Sequence, residues 1–278
     1  MKEKFKVLHI ITRLDKGGSS ENTLLTVSGL DKKRFDVSLI YGKTNDPDGQ
    51  IKSALSNNEI NYQIIPQLVR EVNPWSDLIA FLKLYAIMKK ENFNIVHTHT
   101  SKAGILGRWA AKLAGVKVII HTPHGHIFYG YFGPIRNKLF ILLERLTARI
   151  TDKIITLTQR GKDEHIKFKI AKADKFVPIY SGIELERFIN SSYDPIPMRE
   201  SLGISPNGPV IGTITRLEPV KGNIYFIEAI SRIVKIFPTL KVIIAGDGTQ
   251  RKMIENRVEA LSLTRNVILL GATNEVPK

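Results

Sequence analysis

Short runs of apolar, mostly β-branched residues alternate along this chain with longer stretches in which apolar residues recur at helical spacing. The runs at 7–11, 37–41, 63–65, 95–98, 116–121, 154–157 and 176–179 read as strands. Helices fit between them, and Leu78, Leu82 and Tyr85, at i, i+4 and i+7, mark one such helix. Alternation of this kind predicts an α/β fold with a parallel sheet covered by helices on both faces. From 190 to 209 the pattern fails, giving way to Asn190-Ser191-Ser192-Tyr193-Asp194-Pro195-Ile196-Pro197 and then Ser205-Pro206-Asn207-Gly208-Pro209, which is turn and linker chemistry. The alternation then restarts with strands at 210–214, 241–245 and 267–270 and helices at 225–236 and 251–261. The predicted organisation is a Rossmann-like domain over 1–190, a linker over 191–209, and a second domain over 210–278. Three strands and two helices make about half of a doubly wound domain.

Composition supports that picture. A length of 278 residues with 43% apolar content is enough for two buried cores. No apolar run approaches the roughly 18 residues of a spanning helix, and Met-Lys-Glu-Lys leads straight into the first strand without the layout of a signal peptide. The absence of cysteine excludes disulfides, thiolate nucleophiles and cysteine-based zinc sites, and permits a reducing cytosol.

The net charge of +15 is concentrated over 134–175, where eleven Lys and Arg face five Asp and Glu. Leu139, Phe140, Leu142, Leu143, Leu146 and Ile150 are interleaved with these charges, so part of the stretch reads as a basic amphipathic helix suited to an anionic membrane surface. The other reading is a solvated helix whose apolar side is core. Nucleic acid is not an expected partner, because no aromatic stacking platform or reader motif accompanies the charge.

Chemistry concentrates where strands run into helices. Thr215-Arg216-Leu217-Glu218-Pro219-Val220-Lys221-Gly222 places two cations and a glycine in a strand-to-helix turn. Such a turn aims backbone N–H groups and the positive end of a helix dipole at one spot, so Arg216 and Lys221 read as a diphosphate receptor. After the first strand, Gly17 and Gly18 leave room for a ligand beside the backbone, and Ser19 or Ser20 can cap the following helix. This is neither a dinucleotide fingerprint nor a P-loop, and it suits phosphate contact or an ordinary tight turn.

His97 and His99 share one side of an extended segment. They suit a metal, a substrate hydroxyl or structural hydrogen bonds, although no third metal ligand stands at a suitable sequence spacing. Ala103, Gly104, Gly107, Ala110 and Ala111 follow as a small-residue face for close packing on a sheet. His121-Thr122-Pro123-His124-Gly125-His126 closes the next strand with a sharp turn that can hold His124 at the carboxyl edge of the sheet. Phe128, Tyr129, Tyr131 and Phe132 then read as a mobile aromatic loop or a packed hydrophobic lid. Gly246, Asp247 and Gly248 end a strand of the second domain, as a plain strand–helix turn or as backbone beside a ligand.

Taken together, His124-Gly125, Ser181-Gly182-Ile183-Glu184, Arg216-Leu217-Glu218-Pro219-Val220-Lys221-Gly222 and Ala245-Gly246-Asp247-Gly248 resemble the GT4 family of retaining glycosyltransferases over nearly the whole chain. The resemblance implies a GT-B fold of two Rossmann-like domains, with the second truncated here to about half. It implies a nucleotide-diphosphate-sugar donor, with UDP-hexose or UDP-N-acetylhexosamine expected, and a lipid-linked saccharide or polysaccharide precursor as acceptor. Arg216 and Lys221 would neutralise the donor diphosphate, Gly17 and Gly18 would approach it, and Gly246, Asp247 and Gly248 would lie near the nucleotide. His124 would be the catalytic group facing the transferred sugar, and His97 and His99 would contact donor or acceptor sugar. No metal or other cofactor is expected, because the cationic pair takes the place of Mg²⁺. The expected location is cytoplasmic, peripheral on the inner face of the membrane.

Glu184 and Ser181 depart mildly from the family's usual Asp and Asn. The family's acidic donor-sugar motif would lie beyond Lys278, so the remainder is expected from a longer chain or a second polypeptide. The alternative is a non-catalytic or partner-dependent nucleotide-sugar-binding chain. A nicotinamide-dependent dehydrogenase is disfavoured, since neither glycine-rich turn fits the dinucleotide fingerprint.

Overall fold

A computed structural model of the protein describes residues 3–15, 17–44, 50–125, 133–189 and 193–273. The chain divides into two compact units between Ile183 and Glu184. The aromatic stretch Phe128–Phe132 and His126 lie outside the described residues.

The first unit contains strands β1 (Phe5–Ile11), β2 (Phe35–Tyr41), β3 (Asn61–Ile64), β4 (Ile95–His99), β5 (Val118–Thr122), β6 (Lys153–Thr156) and β7 (Phe176–Pro178). Its helices are α1 (Gly18–Gly29), α2 (Gln50–Asn57), α3 (Pro74–Glu91), α4 (Ser101–Ala114), α5 (Pro134–Arg149) and α6 (Gln159–Lys167). The seven strands form one parallel sheet in the order β3-β2-β1-β4-β5-β6-β7. Strand order reverses between β1 and β4, and in a doubly wound sheet the crevice at the carboxyl ends of such a pair is where ligands bind.

Strand alternation sorts the side chains onto two cores. Leu8, Ile10, Val96 and Ile119 pack with Ala80, Leu84 and Met88 of α3 and Ala103, Ala110 and Ala111 of α4. Ile11, Val37, Leu39 and Tyr41 meet Val27 of α1 and Leu55 of α2 on the other face. The small residues of α4 are required by its closeness to the sheet. A Cβ on Gly107 would stand 2.7 Å from the Thr98 methyl, and one on Gly104 would stand 2.5 Å from the His121 ring.

Two helices bury a face that their apolar spacing does not single out. In α3 the buried positions are Ala80, Leu84 and Met88, whereas Leu78 and Leu82, read as marking the helix, stand exposed with Trp75 and Ile79. The helix is apolar on both sides, so periodicity finds it without choosing its buried face. In α5 the inward residues are Glu144, Thr147 and Ala148, while Ile135, Leu139, Leu142 and Leu146 are exposed. The apolar residues of this basic helix are thus divided, with Phe140, Ile141 and Leu143 half-buried and Ile141 packed against Ala148, Ile154 and Phe176.

Glu144 faces inward because α4 delivers a fully buried Arg108 to it. The guanidinium donates to both Glu144 carboxylate oxygens, at 3.1 and 2.9 Å, and to Gly104 O at 2.8 Å. Removing one partner strands a buried charge, so Glu144→Ala is expected to lower unfolding free energy by about 3–5 kcal/mol. Replacing both, as Arg108→Met with Glu144→Leu, should recover most of that loss in urea titrations.

The second unit holds α7 (Glu186–Ile189), α8 (Ile196–Ser201), β8 (Val210–Ile214), α9 (Asn223–Ile233), β9 (Lys241–Ala245), α10 (Arg251–Ala260) and β10 (Val267–Gly271). Its strands form a parallel sheet in the order β10-β9-β8. Leu217, Ile227, Ile230, Val242, Ile244, Ile254 and Val258 fill its core. The residues read as a linker contribute α8 and are tied to this unit. Arg199 donates to Ser205 O at 3.2 Å and Gly208 O at 2.9 Å, and Ile204 is buried. Among the described residues no helix is long and apolar enough to cross a membrane.

Candidate active site

In the first unit, parallel register brings together residues far apart in sequence. His9 of β1 stands opposite His97 of β4, and Ile11 stands opposite His99. His9, His97 and His99 therefore project from one face of the sheet, at the crevice between β1 and β4. Across its mouth the Thr12 and Thr100 hydroxyls are hydrogen-bonded at 3.0 Å, and Thr12 Oγ1 also accepts from the Ala103 amide at 3.2 Å.

The rings form a hydrogen-bonded chain. His9 Nδ1 meets His99 Nε2 at 3.0 Å, and His99 Nδ1 meets His124 Nε2 at 2.9 Å. His97 packs against His99 with ring centroids 4.2 Å apart and bonds through Nε2 to the Thr122 hydroxyl at 2.8 Å. His121 lies on the opposite face, bonded to the Thr98 hydroxyl at 2.9 Å. Thr100 and His124, which follow β4 and β5, both hold left-handed backbone at φ 64° and 56°. Non-glycine residues rarely adopt that region, and such strain gathers at functional edges.

Burial keeps this group uncharged. It pushes His9 and His124 down to about 4, and pushes His97, His99 and His121 well below the ordinary imidazole value. Neighbouring imidazoles add to the effect at His97 and His99, and the Arg108 guanidinium adds to it at His121.

One ligand atom from each of His9, His97 and His99 lies within 4.8 Å of the others, a grouping that can hold a metal ion. His9 thus supplies the third ligand that sequence spacing lacks. Against a metal, His99 has both ring nitrogens bonded to other imidazoles, so an ion could take a lone pair from it only by breaking one of those links.

In the second unit, β8 leads through Thr215–Glu218 into a 3₁₀ turn, Pro219–Lys221, and then α9. Leu217 is fully buried and anchors the loop, while Arg216 and Lys221 are exposed and, among the described residues, have no ion-pair partner. Gly222, at φ 67°, is the N-cap of α9 and lacks a side chain to cap the first turn. Two cations and an uncapped helix start thus share one short turn, which is the composition of an anion receptor. The loop is held from below, where Asn223 Nδ2 donates to Arg216 O at 3.2 Å.

It is held from the side by the β9–α10 turn, where the Leu217 amide donates to Asp247 O at 2.9 Å and the Gln250 amide to Leu217 O at 2.9 Å. That docking accounts for the two glycines. A Cβ on Gly246 would stand 1.9 Å from Thr215 O, and one on Gly248 would stand 2.6 Å from Leu217 O. Asp247 receives the Gly248 amide at 2.8 Å and faces Arg251 at 3.5 Å.

Residues 16–187 match the Glycosyltransferase Family 4 model, and residues 196–278 match that of Glycosyl transferases group 1. Over 277 residues the chain is 30% identical to the UDP-Gal:alpha-D-GlcNAc-diphosphoundecaprenol alpha-1,3-galactosyltransferase of Escherichia coli, covering 99% of this chain and 70% of that one. The chain belongs to glycosyltransferase family 4. This glycosyltransferase is also 27% identical, over 247 residues, to the capsular polysaccharide biosynthesis glycosyltransferase CapM of Staphylococcus aureus, covering 87% of this chain and 62% of that one. Anabaena HepE, solved with UDP and glucose, shares its fold with a TM-score of 0.78 at 19% identity, over 98% of this chain and 71% of that one. The GT-B fold implied by the motifs is the fold observed.

Within this glycosyltransferase, the structure brings His97, His99 and His124 together at one sheet edge. His97 and His99 are enclosed, and their polar partners are residues of the same crevice, so structural hydrogen bonding is the reading their contacts support. Gly17 and Gly18 stand at the start of α1, with nothing within 4 Å of an added Cβ on either. Ser19 and Ser20 do not cap that helix, because it begins at Gly18 and Gly17 is its N-cap. Sequence reasoning missed His9, Thr12 and Thr100. The available signal was a histidine inside an otherwise apolar strand, Val7-Leu8-His9-Ile10-Ile11, where an unpartnered imidazole would be costly.

Proposed function

We propose that this glycosyltransferase moves a hexose or N-acetylhexosamine from a UDP-sugar to a lipid-linked saccharide, with retained configuration and without a metal. The observation that carries the reading is the exposed Arg216 and Lys221 pair at the start of α9 in a family 4 chain. UDP is favoured because it is named in the Escherichia coli relative and is bound in HepE. The first of these also names a lipid-linked acceptor. As the bond from the sugar's anomeric carbon to the diphosphate breaks, negative charge grows on the leaving phosphate oxygen, and Arg216 and Lys221 stabilise it as Mg²⁺ would. The acceptor hydroxyl attacks from the face the diphosphate leaves, and its proton passes to that phosphate oxygen. His124, at the edge of the first sheet, faces the sugar.

The site of action we propose is the inner, anionic face of a membrane. Helix α4 packs against both α3 and α5, and all three expose apolar residues. Trp75, Leu78 and Leu82 stand out from α3, Leu113 from α4, and Ile135, Leu139, Leu142 and Leu146 from α5. At helical spacing, Lys138, Arg145 and Arg149 line one margin of the α5 stripe. Apolar residues that enter the headgroup region beside cations are the pattern of an interfacial helix. Burying a leucine contributes about 1.5–3 kcal/mol, so Leu139→Glu with Leu142→Glu is expected to weaken vesicle binding about 100-fold or more. Flotation with phosphatidylglycerol vesicles measures this. Unchanged binding by the double variant would remove α5 from the membrane face.

A further inference from the structure

We infer that His9 and His99 are positioning residues for His124, and that the three imidazoles are locked into one shared tautomer, with the proton on Nδ1 of each ring. The inference rests on the proposed role of His124 at the transferred sugar.

At both links an Nδ1 faces an Nε2: His9 Nδ1 to His99 Nε2 at 3.0 Å, and His99 Nδ1 to His124 Nε2 at 2.9 Å. A neutral imidazole has one N–H and one lone pair. His99, bonded through both nitrogens, must donate through one and accept through the other. If it donates from Nδ1 to His124, it accepts from His9 Nδ1–H, and all three rings are Nδ1–H. If it donates from Nε2 to His9, it accepts from His124 Nε2–H, and all three are Nε2–H. Any mixed set places two hydrogens or two lone pairs against each other across about 3 Å, which the short links exclude. His97 stays outside the chain, because its Nε2 is bonded to Thr122.

The two ends decide between the sets. His9 Nε2 and His124 Nδ1 are both buried without a hydrogen-bond partner. His9 lies deep in β1 and is 1% exposed, whereas His124 lies at the half-buried edge where a sugar would come. Orphaned buried N–H groups are rarer than under-satisfied acceptors. The Nδ1–H set leaves only a lone pair at the enclosed His9 end and puts the unmatched N–H on His124 Nδ1, an atom that is itself buried but belongs to the half-buried residue, so that a small movement at the sheet edge lets a sugar hydroxyl or phosphate oxygen accept it. His124 is thereby held as a hydrogen-bond donor by a residue that touches no substrate. The sequence hides this link, since His9 and His99 are 90 residues apart.

The test reads tautomers directly. The full chain is labelled with ¹⁵N-histidine, and two-bond ¹⁵N–¹H spectra near neutral pH report which nitrogen of each ring carries the proton, whether or not the enzyme turns over. The expected result is Nδ1–H for His9, His99 and His124 alike. In His99→Phe, or in His9→Phe if the former fails to fold, His124 should shift toward Nε2–H. Its kcat should fall about 10- to 100-fold with UDP binding kept. His99→Gln, which can both donate and accept, should recover part of that loss. Mixed tautomers in the unaltered protein, a His124 tautomer unchanged in both Phe variants, or a stoichiometric metal on His9, His97 and His99 would each overturn the inference. Correct tautomers without sugar transfer would instead count against the proposed function.

Discussion

Arg216→Ala is expected to lower kcat/KM for the sugar nucleotide by about 100- to 1,000-fold, the range seen when one donor to a developing anion is removed. The reason is the timing of the charge. The diphosphate is already anionic in the bound donor, but it gains charge as the glycosidic phosphate bond breaks, so a cation held there favours the transition state over the ground state. Arg216 is suited to this because Leu217 anchors its backbone in the core and Asn223 holds its carbonyl, while the side chain stays exposed. Arg216→Lys keeps the charge and loses the two-pronged donor geometry, so its activity should fall between the two. Stability should change by less than about 0.5 kcal/mol, since no packing is lost at an exposed position. Steady-state kinetics paired with a urea titration separate the effects. Equal losses in activity and in stability would mean that the loop, rather than the cation, was damaged.

Acidification from neutrality to about pH 4 should unfold the first unit. Four buried histidines and the half-buried His124 have folded-state values below the ordinary 6.5, two of them at about 4. Above 6.5 both folded and unfolded chains hold these rings neutral, and the stability is fully present. Between 6.5 and about 4 the unfolded chain binds protons that the folded chain refuses, so stability falls as pH falls. Each fully shifted ring loses about 1.4 kcal/mol per pH unit. His9 and His124, taken separately, would each remove about 3 kcal/mol by pH 4. Against a total of roughly 5–15 kcal/mol these two losses are already a large fraction, and His97, His99 and His121 act in the same direction. Urea midpoints at neutral and mildly acidic pH measure the slope. A His121→Asn variant, which removes one of the rings, should flatten it, and a midpoint independent of pH would contradict the buried neutral cluster.

The strands were legible because a parallel sheet covered on both faces needs short, nearly uninterrupted apolar runs, and each of these lies between turns. Strand 210–214 and strand 241–245 were read to the residue as β8 and β9. The cation turn was legible because Arg216, Lys221 and Gly222 are local. What periodicity could not supply was direction. The buried face of α3 is set by Ala80 and Leu84 meeting α4, and that of α5 by Arg108 drawing Glu144 inward. Register was also hidden, because His9 joins the candidate site only through its pairing with His97. The tight fit of Gly246 and Gly248 against the Arg216 loop is likewise a contact between segments that no single stretch of sequence contains.

Transfer itself is the most direct test. The protein is incubated with UDP-galactose, UDP-glucose or UDP-N-acetylglucosamine and a diphospholipid-linked saccharide in anionic vesicles, with a chelator present, and the product's anomeric configuration is read by NMR. The expected result is an α-linked product from an α-linked donor, formed without added metal and lost in Arg216→Ala. Absence of transfer from every UDP-sugar, or a β-linked product, would contradict it.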